Sequence, residues 1–496
     1  MNDRQKGVML SYLNIMLQAI LSFIYVPLLL TYIGKSEYGL YQLIGSLIAY
    51  FSIMDFGLTA AVIRFYAKYK ALDDKLATEN LLALAFYGYS IIAIIIVVVG
   101  ICIYTELGSI FSNSMTVSEI EEAKKLFLLL LLNGAISLLT MIFRGIINAN
   151  EKFVILKGFE TLQLLLQPIL VIIIIQEYPY AYAVAIVQTI LNIILSASRI
   201  FYCFNYLNVK IKFHHWDSDL FLDFRKLALS VFCVALVDQV FWKTNQIILG
   251  ILNGTSEVAV YSLSSVIYMN YMALSLAISG VYLPHVTQLV TNKAAKEKLS
   301  ELFISIGRVQ YYLLLLVLTG FIIFGREFIA YWAGTGFEDA YLITLFIIVP
   351  FTIDLIQNIG LTILQAMNQY AFRAKVYIGI GILNVLLAIP GGYYWGGIGC
   401  AIATGITMFI GNGLIMNWYY KSKVGLDISR FWKEIGKVTL SLLFVFVFGY
   451  ALNMYWLTTD IIHFGFKLML YVLFYSIVLF LFVLTTEEKK KVLLFK

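Results

Sequence analysis

Long apolar runs alternate along this chain with short polar ones, and the apolar runs have the length of a bilayer crossing. A helix needs about 20 apolar residues to span the hydrocarbon. Runs of that size fall near 10–33, 39–62, 81–104, 125–148, 154–175, 180–203, 227–251, 258–284, 303–325, 340–366, 375–391, 396–419, 437–457 and 464–485. The pattern predicts an all-α polytopic membrane protein with about fourteen transmembrane helices. No stretch alternates as a half-buried strand does. The longest connections, 105–124 and 205–226, are too short to form a soluble domain.

Inside several runs, polar side chains return at helical spacing. Ser11, Asn14 and Gln18 share a face of the first helix, and Ser52, Asp55 and Thr59 a face of the second. Lys157, Glu160, Gln163 and Gln167 line the fifth. Gln188, Asn192, Ser196 and Arg199 line the sixth, and Asp354, Gln357, Asn358 and Gln365 the tenth. The richest case is Val231–Glu257. At about 100° per residue Gln239, Lys243 and Gln246 form one line, flanked by Asp238, Trp242 and Asn245. A charge at mid-membrane costs about 2.5–3.5 kcal/mol on insertion scales. Four such charges facing lipid would cost roughly 10 kcal/mol, comparable with the net stability of a whole domain. The polar faces are therefore expected to turn toward one hydrated chamber. The candidate cavity residues are Asn14, Gln18, Asp55, Arg64, Arg144, Lys157, Glu160, Gln163, Asp238, Gln239, Trp242, Lys243, Gln246, Asp354 and Asn358. Blander roles compete for them. Arginines at helix ends snorkel to headgroups, amides join helices, Arg144 can pair with Glu160, and Trp242 can simply pack.

The chain also repeats itself. Gly34-Lys35-Ser36-Glu37 with Tyr41 matches Gly254-Thr255-Ser256-Glu257 with Tyr261. Ile147-Asn148-Ala149-Asn150 echoes Leu364-Gln365-Ala366-Met367-Asn368 at nearly the same shift. Two echoes in matching places predict two pseudo-symmetric six-helix lobes around a central cavity, in parallel topology. The expected divisions are an N-lobe at 1–207, a cytoplasmic connection at 208–226, a C-lobe at 227–422, and two peripheral helices with a basic tail at 423–496.

Charge then fixes orientation. With both termini in the cytoplasm, 29 of the 35 Lys and Arg lie on inner segments, five lie outside, and Lys243 lies within a span. This asymmetry follows the positive-inside rule. It explains the net charge of +6 through contact with anionic membrane lipids, without nucleic acid. With 61% hydrophobic and 13% charged residues, the chain falls outside the soluble range. Cys102, Cys203, Cys233 and Cys400 are scattered and show no metal-binding spacing, so neither a metal nor a structural disulfide is expected. No phosphate-binding loop, H-E-x-x-H helix or nucleophile elbow is present, so no catalytic residue and no organic cofactor are expected. Buried charges of both signs in a duplicated bundle suit a transporter that alternates access.

Specific residues then carry a resemblance. Tyr12-Leu13-Asn14, Pro27 through Gly34-Lys35-Ser36-Glu37-Tyr38-Gly39-Leu40-Tyr41, Asp55-Phe56-Gly57-Leu58 and Asn148-Ala149-Asn150 resemble polysaccharide-biosynthesis flippases of the Wzx type. That superfamily also holds lipid II flippases and multidrug and toxin extruders. The resemblance implies two six-helix lobes in a V around a cavity, with helices 13 and 14 outside. It implies transfer of an undecaprenyl-pyrophosphate-linked oligosaccharide from the inner to the outer leaflet of the bacterial cell membrane, for surface polysaccharide assembly. Glycosyltransferases and a polysaccharide polymerase are the implied partners. In that setting Arg144, Lys157 and Lys243 would attract the pyrophosphate, Arg64 would recruit it, and Asn, Gln and Trp242 would meet the sugars. Asp55, Glu160, Asp238 and Asp354 would pair with bases in the empty state or bind a coupling Na⁺ or H⁺. Related antiporters use an acid in the first helix, which this chain lacks. The alternatives are a Na⁺- or H⁺-coupled multidrug extruder, which calls for acids without competing bases, and a membrane-embedded polymerase, which calls for a catalytic outer loop.

Overall fold

The computed structural model describes residues 3–215, 218–291, 296–458, 460–486, 488 and 489. Among them there is no strand. The helices are α1 (Asp3–Ser52), α2 (Leu58–Ala71), α3 (Lys75–Phe111), α4 (Val117–Ala149), α5 (Phe153–Ile175), α6 (Ala181–Asn205), α7 (Ser218–Asn253) and α8 (Thr255–Ser279). They continue with α9 (Leu283–Thr291), α10 (Lys296–Ala333), α11 (Asp339–Leu355), α12 (Asn358–Ala366), α13 (Tyr370–Met408), α14 (Met416–Tyr419), α15 (Ile428–Tyr455) and α16 (Ile461–Val478).

Among the described residues ten apolar stretches are long enough to cross a membrane, and α11 with α12, bent by 42°, forms an eleventh. Two of the ten hold two crossings each. Met9–Ala71 turns at Gly34, and Tyr370–Val424 turns at Trp395 and Gly396. The less apolar α7, 36 residues long, completes the fourteen read from the sequence. The protein is a multi-pass membrane protein. Helices run past the apolar segments, so the connections expected at 105–124 and 205–226 are shorter than the hydropathy implied.

The turns explain where crossings end. Gly34 and Gly254 have φ of 79° and 86°, in the left-handed region that glycine adopts without strain. Both repeated motifs thus begin at the same kind of helix break. The repeat goes further than sequence showed. Each second crossing breaks in a 3₁₀ turn, at Ile53–Asp55 before α2 and at Gly280–Tyr282 before α9. In α13, a Cβ on Gly391 would sit 2.8 Å from the Gly399 carbonyl oxygen. Small residues there let two helices cross closely.

Contacts divide the chain into two compact units, Met1–Ser262 and Leu263–Lys496. In the first, α7 packs on α1, and α4 lies between α3 and α6. In the second, buried polar contacts tie α15 and α16 to α10. Lys467, 1% exposed, pairs with Glu327 at 2.8 Å. Arg308 pairs with Glu434 at 3.1 Å. Tyr471 donates to Thr319, and Tyr475 to the Tyr312 carbonyl, both at 2.7 Å. Each contact satisfies a polar group that hydrocarbon would leave unpaired.

Candidate functional site

The first unit encloses a cavity of about 510 Å³. Its walls come from the second half of α1, from α4, α5 and α6, and from one residue each of α3 and α7. Parallel registers show how it is layered. Tyr41 donates to Gln188 Oε1 at 3.1 Å, and Asn192 donates to Asn133 Oδ1 at 2.7 Å. Thr140 and Ser196 meet at 3.1 Å. Thus Tyr41, Asn133, Gln188 and Asn192 form an uncharged polar end. Arg144 lies 11 residues beyond Asn133 on α4, and Arg199 lies 11 beyond Gln188 on α6. At 1.5 Å per residue both sit roughly 16 Å further along. Lys243 enters between these levels, since neighbouring Thr244 and Gln246 bond to Tyr50 and Ser46 of α1.

The charges do not balance. Among the described residues, Arg144, Arg199, Lys243 and Glu160 are the charged ones lining the cavity, three bases to one acid. Glu160 is shared. One oxygen accepts from Arg144 at 2.5 Å and the other from Lys157 at 2.8 Å. Arg199 is within Coulombic reach of both Arg144 and Glu160, and its guanidinium lies over the Phe159 ring at 5.9 Å. Its Nε is buried without a hydrogen-bond partner. Neither Arg199 nor Lys243 makes a hydrogen bond or ion pair with another described residue. A low-dielectric pocket with surplus positive charge concentrates anions.

Beside the cavity lies a recess of about 360 Å³. It gathers Asn14 and Gln18 of α1 with Lys157, Glu160, Gln163 and Gln167 of α5. Glu160 and Gln163 line both spaces. Buried Asn14 also joins the helices, donating to the Lys157 carbonyl and accepting from Thr161. Arg144, Lys157, Glu160, Gln163, Lys243, Asn14 and Gln18 are therefore brought together in the first unit.

The remaining candidates sit elsewhere. Asp55 precedes α2, whose N-cap is Gly57; one of its oxygens accepts from the Thr59 N–H at 3.4 Å, the Thr59 hydroxyl at 3.0 Å and Tyr89 at 2.9 Å. Arg64 is exposed, 5.7 Å from the centroid of its neighbour Phe65. The polar arc of α7 divides. Only Lys243 lines the cavity. Gln246 is buried between Ser46 and Ser262, and Asn245 donates to Tyr261 at 2.8 Å. Asp238, Gln239 and Trp242 are half-buried. The Gln239 carbonyl accepts from Tyr50, and Trp242 sits edge-on to Phe241. In the second unit Asp354 pairs with buried Arg373 at 3.2 Å, and Asn358 donates to Ser275 at 3.3 Å. Cys102, Cys203 and Cys400 are in no disulfide among the described residues; the Cys233 side chain lies outside the described ones.

Sequence reasoning missed the polar line of α4. Asn133, Ser137, Thr140 and Arg144 fall at i, i+4, i+7 and i+11 within a leucine-rich run, a spacing that marks one helix face. It also missed Tyr41 and Gln42, which look like ordinary interfacial residues until the register places them in the wall.

Comparison with solved structures gives the fold independently. The lipid II flippase MurJ in an inward closed conformation superposes with a TM-score of 0.76 at 16% identity, over 95% of this chain and 98% of that one. An inward-facing multidrug resistance MATE transporter of the MOP superfamily gives 0.60 at 13% identity, over 81% and 96%. A MOP superfamily transporter from Pyrococcus furiosus, described as having reversed binding-pocket polarity, gives 0.57 at 14% identity, over 87% and 97%. No curated protein sequence matches. The proteins sharing this fold are flippases and transporters. Residues 5–290 match the family described as polysaccharide biosynthesis protein, and the chain belongs to that family.

Proposed function

We propose that this protein flips an undecaprenyl-pyrophosphate-linked oligosaccharide from the cytoplasmic to the outer leaflet of the bacterial cell membrane by alternating access. The observation that carries the reading is the cavity's surplus of bases. Lys243 makes no hydrogen bond or ion pair with a described side chain, Arg199 shares the single carboxylate of Glu160 with Arg144 and Lys157, and a diphosphate supplies the negative charge they lack. Arg144 joins them when the ligand displaces Glu160 (a carboxylate holding the bases in the empty state). The amides at the other end, Asn133, Gln188 and Asn192, suit sugar hydroxyls, and the lipid tail stays in the bilayer. Glycosyltransferases would supply the substrate and a polymerase would consume the product.

An ion-coupled drug extruder shares this fold, but a cationic drug would meet net positive charge here. Asp55 and Asp354 are engaged locally, and Glu160 is held between Arg144 and Lys157. The test is transfer of a fluorescent prenyl-pyrophosphate-linked oligosaccharide across vesicles holding the purified protein. Protein-dependent transfer that stops when the diphosphate is replaced by a neutral linkage supports the reading. Export of a cationic dye with no transfer of the glycolipid contradicts it.

A further inference from the structure

The two copies of the G-x-S-E motif meet in the fold. Ser36 Oγ lies 2.9 Å from Thr255 Oγ1. Both hydroxyls donate to one oxygen of Glu119, at 2.6 and 2.8 Å. The other oxygen accepts from the Thr116 backbone N–H and hydroxyl, each at 2.9 Å. Glu119 stands in the first turn of α4 within a capping box, where the helix end favours its negative charge. Hydrogen bonds to an ionised acceptor are roughly twice as strong as neutral ones.

The backbones come closest around this clasp. A Cβ on Gly39 would collide with the Thr255 carbonyl oxygen, and one on Gly254 would sit 2.6 Å from that of Ser114. Ser114 Oγ donates to the Gly250 carbonyl at 2.7 Å. Thr255 is buried.

We propose that Glu119 is the catch that holds the Gly34–Gly254 end of the transport path shut. By the repeat, the crossings that begin after Gly34 and Gly254 are equivalent elements of the two halves. This inference rests on the alternating-access reading, in which such equivalents must part for the cavity to open at that end. Nothing covalent holds them. One carboxylate grips a hydroxyl from each, so removing it shifts the balance toward the open form.

The test uses the full-length protein in vesicles, with Cys102, Cys203, Cys233 and Cys400 replaced and Ala49→Cys as a cavity reporter. A membrane-impermeant maleimide is applied from the Gly34–Gly254 side. Glu119→Ala is expected to raise labelling at least fivefold. Glu119→Gln is expected to raise it less, because the amide keeps one acceptor. Thr116→Val removes the cap and leaves the clasp; it should lower thermal stability without changing the labelling rate. Unchanged labelling in Glu119→Ala, or an equal rise in Thr116→Val, overturns the proposal. A second arm pairs Ser36→Cys with Thr255→Cys across a short thiol crosslinker. The bridge is expected to abolish labelling from that side, and persistent labelling again overturns the proposal. Neither readout involves a glycan. Expected labelling with no glycolipid transfer would sink the substrate reading alone.

Discussion

Each unit holds an arginine–carboxylate pair between neighbouring crossings, and the two pairs live in different surroundings. In the first unit Arg144 of α4 meets Glu160 of α5, with side chains 46% and 20% exposed. In the second, Asp354 of α11 meets Arg373 of α13, 16% and 9% exposed. The acid and base have exchanged helices. The surroundings differ more. Arg373 is sealed, with Asn412 at 2.6 Å and the Tyr377 ring 5.4 Å away. Arg144 faces the cavity, and its carboxylate is divided with Lys157. The same chemistry therefore serves two ends. A sealed pair holds helices in place and penalises loss of either partner. A pair at a wet wall is weak, and a ligand can replace its anion.

Removing a partner from each pair should separate these roles. Arg373→Ala strands Asp354 in a closed site, and breaking a buried pair costs about 3–5 kcal/mol. Yield and melting temperature are expected to fall sharply; a variant as stable as the parent would make the two pairs equivalent. Replacing both partners, Asp354→Leu with Arg373→Met, should recover most of that loss, since apolar pairs of similar volume are often neutral. Arg144→Ala should cost only about 0–1 kcal/mol of stability, while glycolipid transfer falls about tenfold. Melting curves and transfer rates on the same preparations check both halves of that statement. The smallest effect belongs to Asp55→Asn. The amide keeps an acceptor for Thr59, so a loss of only a few tenths of a kcal/mol is expected, with transfer preserved. Lost transfer in a stable Asp55→Asn protein would assign that acid a coupling role instead of a local structural one.

Much of this was legible because a bilayer enforces its own grammar. The lengths of the apolar runs, the breaks at Gly34 and Gly396, and the polar line of α5 follow from hydrocarbon thickness, positive φ and helical period. What stayed hidden depends on partners distant in sequence. Arg373 looks like a cytoplasmic loop residue until Asp354 and Asn412 draw it inward. Asp55 looks like a cavity acid near the inner headgroups because nothing in the apolar pattern signals the 3₁₀ turn that sets its carboxylate against Thr59 and Tyr89. Asn245 and Gln246 have the spacing of a wet face. Asn245 donates to Tyr261, and Gln246 bonds Ser262 and Ser46, which only tertiary packing could decide. Lys243 is the opposite case, placed in the cavity by depth and spacing alone.

That lysine gives the most direct measurement. Transfer of the fluorescent prenyl-pyrophosphate-linked oligosaccharide should be compared between the parent protein, Lys243→Ala and Lys243→Glu in matched vesicles. Surplus positive charge holding the diphosphate requires transfer to fall at least tenfold in Lys243→Ala and to vanish in Lys243→Glu, with melting temperatures nearly unchanged. Parent-like transfer in a folded Lys243→Glu protein would contradict the account.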